Sequence, residues 1–564
     1  MKTLFVGGNV INVFTGEIEK TNMLVEDKKI IGVGDYYSEE DADVIKNVSG
    51  KYICPGFIDG HIHIESTMLQ PYEFAKISVP HGTTTVIADP HEIANVCGTE
   101  GIEFMLEASK NIPLSIYIML PSCVPATNFD ESNAELSAKE LEDFYSHPRV
   151  LGLAEMMNYP GVISDDLKVM EKIKSARRYG LMINGHAPLL SGRGLDRYIS
   201  TGIRDDHECS FIEEAKEKIR KGQHVMIRQG TAARNLDDLL PLFDEPWSHR
   251  CLLVADDKHP SDILEHGHID EIIRQAVLKG KNPVTGIRMA TLWAAEYLGL
   301  SEIGAIAPGY VADFLILDDL KSVSVREVYR HGIRVACDGK IDRIKEPQIK
   351  EELQTKVRHS FNLNPVTEDD LYIDTNGIKK CRVIRIIKGQ IITDELITDI
   401  NFDENNGIDI NRDILKIAVF ERHRHTGHKG IGFISGSCIK NGAVAASVAH
   451  DSHNLIIIGS NEKDMAIAAE HIRIMGGGYV VVSNGRIIAD MPLPIAGLMA
   501  DEAAEVVIEQ NKRLRESICV IGPSIDNDLF MTMSFVSLPV IPHIKITTKG
   551  IVDVNKQSIV SLLY

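Results

Sequence analysis

The chain has 564 residues, with 60 Lys and Arg against 80 Asp and Glu and a formal charge of −20. Single hydrophobic cores stop growing near roughly 250–300 residues, so this length calls for more than one domain. With 44% apolar and 25% charged residues the composition is that of a folded globular protein, and the acid excess argues against a nucleic-acid backbone or an anionic membrane as partner.

The opening segment is β-rich. Short apolar runs at 4–6, 10–14, 23–25 and 30–33 are separated by Gly, Asp and Lys turns. There is no signal-peptide core, and no apolar run nears the roughly 18 residues that cross a bilayer. The nine Cys are scattered without a CxxC pair and read as reduced thiols, so a cytoplasmic protein is expected.

From residue 53 onward β-branched runs alternate with amphipathic stretches. The runs are 53–58, 83–88, 116–120, 150–154, 181–184, 202–204, 225–227 and 252–255. Eight such units predict an α/β fold, a (β/α)8 barrel over 53–303, although the third and seventh helical segments are weakly patterned. β patterning returns over 304–345, with strands at 323–329 and 334–337 expected to pair with residues 1–52 in a small β-sandwich built from both sides of the barrel. A charged linker, 345–356, leads to a C-terminal α/β domain over 357–564, with strands near 414–420, 455–458 and 479–482 and a helix near 461–474.

Residues able to do chemistry follow most of the barrel runs. They are Asp59, His61 and His63; Asp89, His91 and Glu92; Ser122; Glu155; His186; His207; and Asp256 with Asp257. Strand C-termini of such a barrel converge on one mouth, so these side chains are expected to meet. His61 and His63, two apart on a strand, face the same side, and imidazoles so placed can share a divalent metal at about 2.0–2.1 Å per ligand. A lone HxH would be read as two satisfied polar residues; the company of Glu155, His186, His207 and Asp256 favours ligation. Glu155 at a buried strand end needs a cation or a donor network, and its two oxygens can bridge two ions about 3.5–4 Å apart. The set then divides into His61, His63, Glu155 and Asp256 around one ion and Glu155, His186 and His207 around the other.

The stretch Pro55-Gly56-Phe57-Ile58-Asp59-Gly60-His61-Ile62-His63 resembles the amidohydrolase superfamily signature, and Gly304-Ala305-Ile306-Ala307-Pro308-Gly309-Tyr310-Val311-Ala312-Asp313 resembles that superfamily too. Narrower motifs resemble the bacterial and archaeal adenine deaminases. They are Ile64-Glu65-Ser66-Thr67-Met68, Asp89-Pro90-His91-Glu92-Ile93-Ala94-Asn95, Pro121-Ser122-Cys123-Val124-Pro125-Ala126, Gly185-His186-Ala187-Pro188, Phe420-Glu421-Arg422-His423-Arg424-His425 and Met491-Pro492-Leu493-Pro494. The resemblance covers nearly the whole chain. It implies hydrolytic deamination of adenine to hypoxanthine and ammonia in purine salvage, at a centre of two Mn2+ or Fe2+ ions per subunit, with Glu155 in the place where many amidohydrolases carry a carbamylated lysine. Adenine and water are the expected small-molecule partners, and a homo-oligomer is expected.

On this reading a hydroxide generated between the ions attacks C6 of adenine. Asp256 takes its proton and relays it to the departing amine. Glu92 is the first candidate for protonating the purine ring, with Asp257 and His91 behind it, and His91, Asp257 and Ser122 are the candidates for substrate binding. Each has a plainer alternative: Glu92 as the first-turn acid of the next helix, Asp257 and Ser122 as loop caps, the cap being preferred for Ser122. A second histidine group, His423, His425, His428, His450 and His453, reads as a loop packed toward the mouth or a subunit contact rather than an independent centre. A deacetylase or cyclic-amide hydrolase, and a non-catalytic barrel scaffold, are the competing functions.

Overall fold

Eight strands in chain order carry the site: β1 (Phe57–Ile62), β2 (Thr83–Ala88), β3 (Ser115–Leu120), β4 (Val150–Met156), β5 (Met182–Gly185), β6 (Asp205–Asp206), β7 (His224–Arg228) and β8 (Cys251–Val254). The structure, a computed structural model, describes residues 1–342, 344–375, 377–387, 392–402, 405–522 and 528–564. β1 to β5 form one parallel sheet in sequence order and β6 to β8 another. A parallel bridge between Ile62 and Asp256 brings the first strand to the chain beyond the last. β1 and β2 bury every residue, as parallel strands covered on both faces do.

The connecting helices follow the apolar spacing. Leu167–Arg178 buries Val169, Ile173 and Ala176 at helical intervals, and the Asp166 side chain caps it by accepting from the Val169 amide. Where the patterning was weak the helices are short: Ala138–Glu142 after β3 and Leu236–Leu239 after β7. Two boundaries differ from expectation. The run 53–58 is two strands, because Tyr52–Pro55 belongs to the flanking sheet and β1 begins at Phe57. The chain changes sheets at Gly56, where a Cβ would lie 2.2 Å from Thr84 Oγ1, so only glycine fits. The sixth run, expected at 202–204, pairs instead at Asp205–Asp206.

The flanks form one continuous, hydrogen-bonded nine-stranded sheet. Tyr52–Pro55 pairs antiparallel with Phe314–Leu317, and the sheet wraps a core of Phe5, Met23, Ile30, Ile53, Phe314 and Tyr329. Val325–Arg330 and Ile333–Cys337, expected to pair with the N-terminal strands, reach them only through Phe314–Leu317.

The C-terminal region is built on a mixed eight-stranded sheet with helix Glu462–Met475 packed against it, capped by the Asn461 side chain. It is not detached from the barrel. One apolar cluster runs from Ile93 and Val96 to Met499, Val507 and Leu514. The amide of Ala504 donates to Glu73 Oε2 at 2.9 Å, and that of Ala500 to the Met68 carbonyl at 2.9 Å. Among the described residues no helix is long and apolar enough to cross a membrane.

Candidate metal centre

Six side chains expected from sequence to share ions lie together at the C-terminal ends of the strands. His61 sits in β1 and His63 just beyond it, Glu155 in β4, His186 and His207 immediately after β5 and β6, and Asp256 two residues after β8. All but His186 are buried. Glu155 Oε1 lies 3.2 Å from His63 Nε2 and 3.8 Å from His61 Nε2. Glu155 Oε2 lies 2.6 Å from His186 Nδ1 and 3.1 Å from His207 Nε2. One carboxylate thus turns each oxygen to a different pair of imidazoles. Asp256 Oδ1 closes the first pair at 3.2 Å from His63 Nε2 and 3.7 Å from His61 Nε2.

The surroundings leave the ligating atoms pointing inward. His63 Nδ1 lies 3.1 Å from the Asp89 carbonyl, which fixes a hydrogen on that nitrogen and a lone pair on Nε2. Asp256 Oδ2 accepts from Arg228 Nη1 at 2.7 Å, leaving Oδ1 to the imidazoles, and its backbone is left-handed at φ 57°. Asp59 accepts from the amides of His61 (3.2 Å) and Ala255 (3.1 Å), tying β1 to β8 beneath the site. His61 Nε2 is buried without a hydrogen-bond partner, which leaves it available to a cation. Imidazoles and carboxylates in this proportion suit a divalent transition-metal ion.

Burial pushes the Glu155 carboxyl up, but the imidazoles of His207 and His186 outweigh it and hold it well below the usual carboxylate range. Burial acts likewise on Asp256, and Arg228 followed by His63 overcomes it. Asp257 is pushed up, by burial first and then by the charge of Asp256 beside it.

The remaining expected residues are placed less uniformly. Ser122 is tied to the scaffold: its hydroxyl donates to the Glu155 carbonyl at 2.5 Å. Asp257 Oδ1 accepts from Ser66 Oγ at 2.5 Å rather than capping the next turn. His91 bridges the two halves of the mouth, with Nδ1 3.8 Å from Glu155 Oε1 and Nε2 3.3 Å from Glu92 Oε1. Glu92 is in the first turn of helix His91–Ala108, as the plain reading had it, and also faces the C-terminal region. Its Oε1 lies 2.6 Å from His450 Nδ1, and its Oε2 is hydrogen-bonded to His453 Nε2.

The second histidine group therefore divides. His450 and His453 reach the mouth, and His423 supports them through a 2.8 Å contact from Nε2 to the Ser452 carbonyl. His425 and His428 are exposed and pair with Asn364 and Glu131. Sequence reasoning missed Glu208, whose Oε1 is 3.4 Å from His207 Nε2, and Arg228, which pairs with both Glu208 and Asp256. Glu208 directly follows a candidate ligand, a signal that was available; Arg228 ends a strand with nothing in its neighbourhood to mark it.

Residues 52–344 match the amidohydrolase family, and residues 390–558 match the adenine deaminase C-terminal domain. The chain is similar to a protein named adenine deaminase from Kosmotoga olearia, at 45% identity over 99% of this chain and 96% of that one. It is similar to others so named from Thermosipho africanus (46%, 98% of this chain and 95% of that one) and Desulfatibacillum aliphaticivorans (43%, with the same shares).

Proposed function

The chain belongs to the adenine deaminase family of amidohydrolases, and from that premise we propose that it hydrolyses adenine to hypoxanthine and ammonia at the mouth formed by β1 to β8. We read the eight strands as a closed (β/α)8 barrel; the Ile62–Asp256 bridge and the 3.0 Å bond from the Asp256 amide to the His61 carbonyl support closure. The observation that carries the functional reading is Glu155, with its two oxygens assigned to separate imidazole pairs.

Two ions, Mn2+ or Fe2+, would be held by His61, His63, Glu155 and Asp256 and by Glu155, His186 and His207; when bound, they supply a water acidic enough to act as nucleophile near neutral pH. The chain's own residues then manage protons. Attack forms the C6–O bond and loss of ammonia breaks the C6–N6 bond, so one water proton ends on the ammonia and the other on the purine ring. Asp256, with Oδ2 held by Arg228, presents Oδ1 to receive the first proton and pass it to the departing amine. Glu92 is assigned the second transfer, to the ring nitrogen on which negative charge builds. His91 and Asp257 are assigned to contact the base, and the Ser122 hydroxyl, which donates to the Glu155 carbonyl, supports the β4 end.

The test is a time course of manganese-loaded protein with adenine and adenosine, followed by ultraviolet absorbance and ammonia release. Conversion of adenine is expected. Opening of a cyclic amide or deacylation of an N-acetyl sugar without any ammonia from adenine would replace this reading. Inertness toward all of them, with no metal retained, would favour a scaffold.

A further inference from the structure

Glu92 belongs to the barrel, yet both of its oxygens are engaged by the C-terminal region. Residues 449–454, between strands Ala443–Ala446 and Leu455–Gly459, deliver His450 and His453 to it. The two rings are fixed independently. His450 stacks on Phe535 with centroids 4.7 Å apart and planes 16° from parallel, while its amide donates to the Ser534 carbonyl at 3.1 Å. His453 accepts at Nδ1 from the Ala449 amide at 3.2 Å. That contact decides its tautomer: Nδ1 keeps the lone pair, so Nε2 carries the hydrogen and donates to Glu92.

The loop itself is pinned from the buried side. Arg422 donates from Nε to the His453 carbonyl at 2.6 Å and from Nη2 to the Ala496 carbonyl at 2.9 Å. A Cβ at Gly497, where φ is +71°, would lie 2.9 Å from Arg422 Nη2, so the guanidinium sits where only glycine leaves room.

We propose that His450 and His453 are positioning residues for Glu92, so that the C-terminal region completes the active site by fixing both oxygens of a barrel carboxylate. The inference rests on the proton-transfer role assigned to Glu92 above. Glu92, His450 and His453 have ligand atoms close enough to suggest a third cation site. The hydrogen on His453 Nε2 removes the lone pair that such an ion would need, so hydrogen bonding is the function of this group. Fixing the carboxylate matters because a misplacement of about 1 Å in a reacting group can cost about 10²-fold in rate.

The experiment uses the full-length, manganese-loaded protein with adenine and compares wild type with His450→Ala, His450→Asn, His453→Ala and His453→Gln. Asn carries an N–H near the place of the imidazole Nδ1, and Gln carries one near Nε2. Each Ala variant is expected to lose about 10²-fold in kcat with KM changed less than about 3-fold and metal content unaltered, and Asn or Gln is expected to recover at least about 10-fold of that loss. His428→Ala, which removes an exposed pairing with Glu131 away from the mouth, is expected to keep wild-type kcat. If the Ala variants do not fold, His450→Asn is compared with His450→Asp, which sets a like charge against Glu92 and is expected to be at least about 10-fold slower. Wild-type kcat in the Ala variants, Asn and Asp of equal activity, failure of Asn and Gln to exceed Ala, or loss of a third bound ion in His450→Ala would each overturn the proposal. A wild-type protein that releases no ammonia from adenine would defeat the functional reading and this inference together, whereas an active wild type with indifferent variants would defeat this inference alone.

Discussion

Glu155 and Glu92 stand in the same barrel mouth, each buried between imidazoles, and they are handled in opposite ways. Around Glu155 the donors come from the strand ends of its own barrel, and His61 Nε2, 3.8 Å away, has no hydrogen-bond partner. Around Glu92 both oxygens also meet imidazole nitrogens at hydrogen-bond distance, as Glu155 Oε2 meets His186, but those rings come from the C-terminal region. Counting histidines and carboxylates does not separate the two arrangements. The far nitrogens of His63 and His453 do. His63 Nδ1 faces a carbonyl, so Nε2 is free to ligate; His453 Nδ1 faces an amide N–H, so Nε2 must donate. A backbone group on the far side of the ring thus decides whether the facing nitrogen can ligate an ion or must donate to the carboxylate.

The contrast breaks most readily at Glu155. Glu155→Gln is expected to lower metal content and to cost more than about 10³-fold in turnover, the scale of losing a group that stabilises transition-state charge, because an amide offers one weak oxygen in place of two anionic ones. Metal analysis alongside ammonia release checks it; full activity would place the centre elsewhere. Asp256→Asn comes next, with kcat lower by about 10²- to 10³-fold and KM nearly unchanged, since proton relay is lost while adenine still binds. On the other side, Arg422→Met leaves the carbonyls of His453 and Ala496 unpaired and is expected to cost about 2–4 kcal/mol in denaturant unfolding while metal content stays at the wild-type level. Loss of metal in that variant would mean the two glutamates are not independent.

The smallest effect concerns pH. Asp130 is pushed up to about 7 by burial and then by the nearby Asp451, a member of the same loop that carries His450 and His453. Its folded form keeps a proton that the unfolded chain releases near pH 4, about the ordinary Asp value. Stability from this group is therefore present below about pH 4, declines as pH rises toward about 7, and is flat above. Asp130→Asn removes that decline, so its advantage over wild type is expected to grow from nothing near pH 4 to its full size above pH 7, measured by urea unfolding across the range. A constant difference at all pH values would contradict the assignment.

Much of this arrangement was legible in the sequence because it repeats a local rule. An apolar run followed by His, Glu or Asp places that side chain at a strand C-terminus, and His61, His63, Glu155, His186, His207 and Asp256 all obey it. The helix expected near 461–474 forms over Glu462–Met475, with Asn461 as its cap. What was not legible needed tertiary information. His450 stood out only as one of five histidines, and the carboxylate that completes its group, Glu92, is 358 residues away in the chain. Likewise, nothing near Arg228 indicated that it would meet Glu208 and Asp256, and Ser122, which follows a strand like the others, spends its hydroxyl on a neighbouring carbonyl. The split of the run 53–58 turned on the close approach of Thr84 to Gly56, which no pattern along one strand reveals.

The most direct trial of the barrel centre is a titration of metal-stripped protein with Mn2+, reading adenine deamination at each addition. Activity should climb until two equivalents per chain are bound and then level off, with Glu155→Gln failing to gain activity at any addition. A plateau at one equivalent, or deamination that needs no added ion in protein shown to be metal-free, would contradict a pair of ions bridged by Glu155.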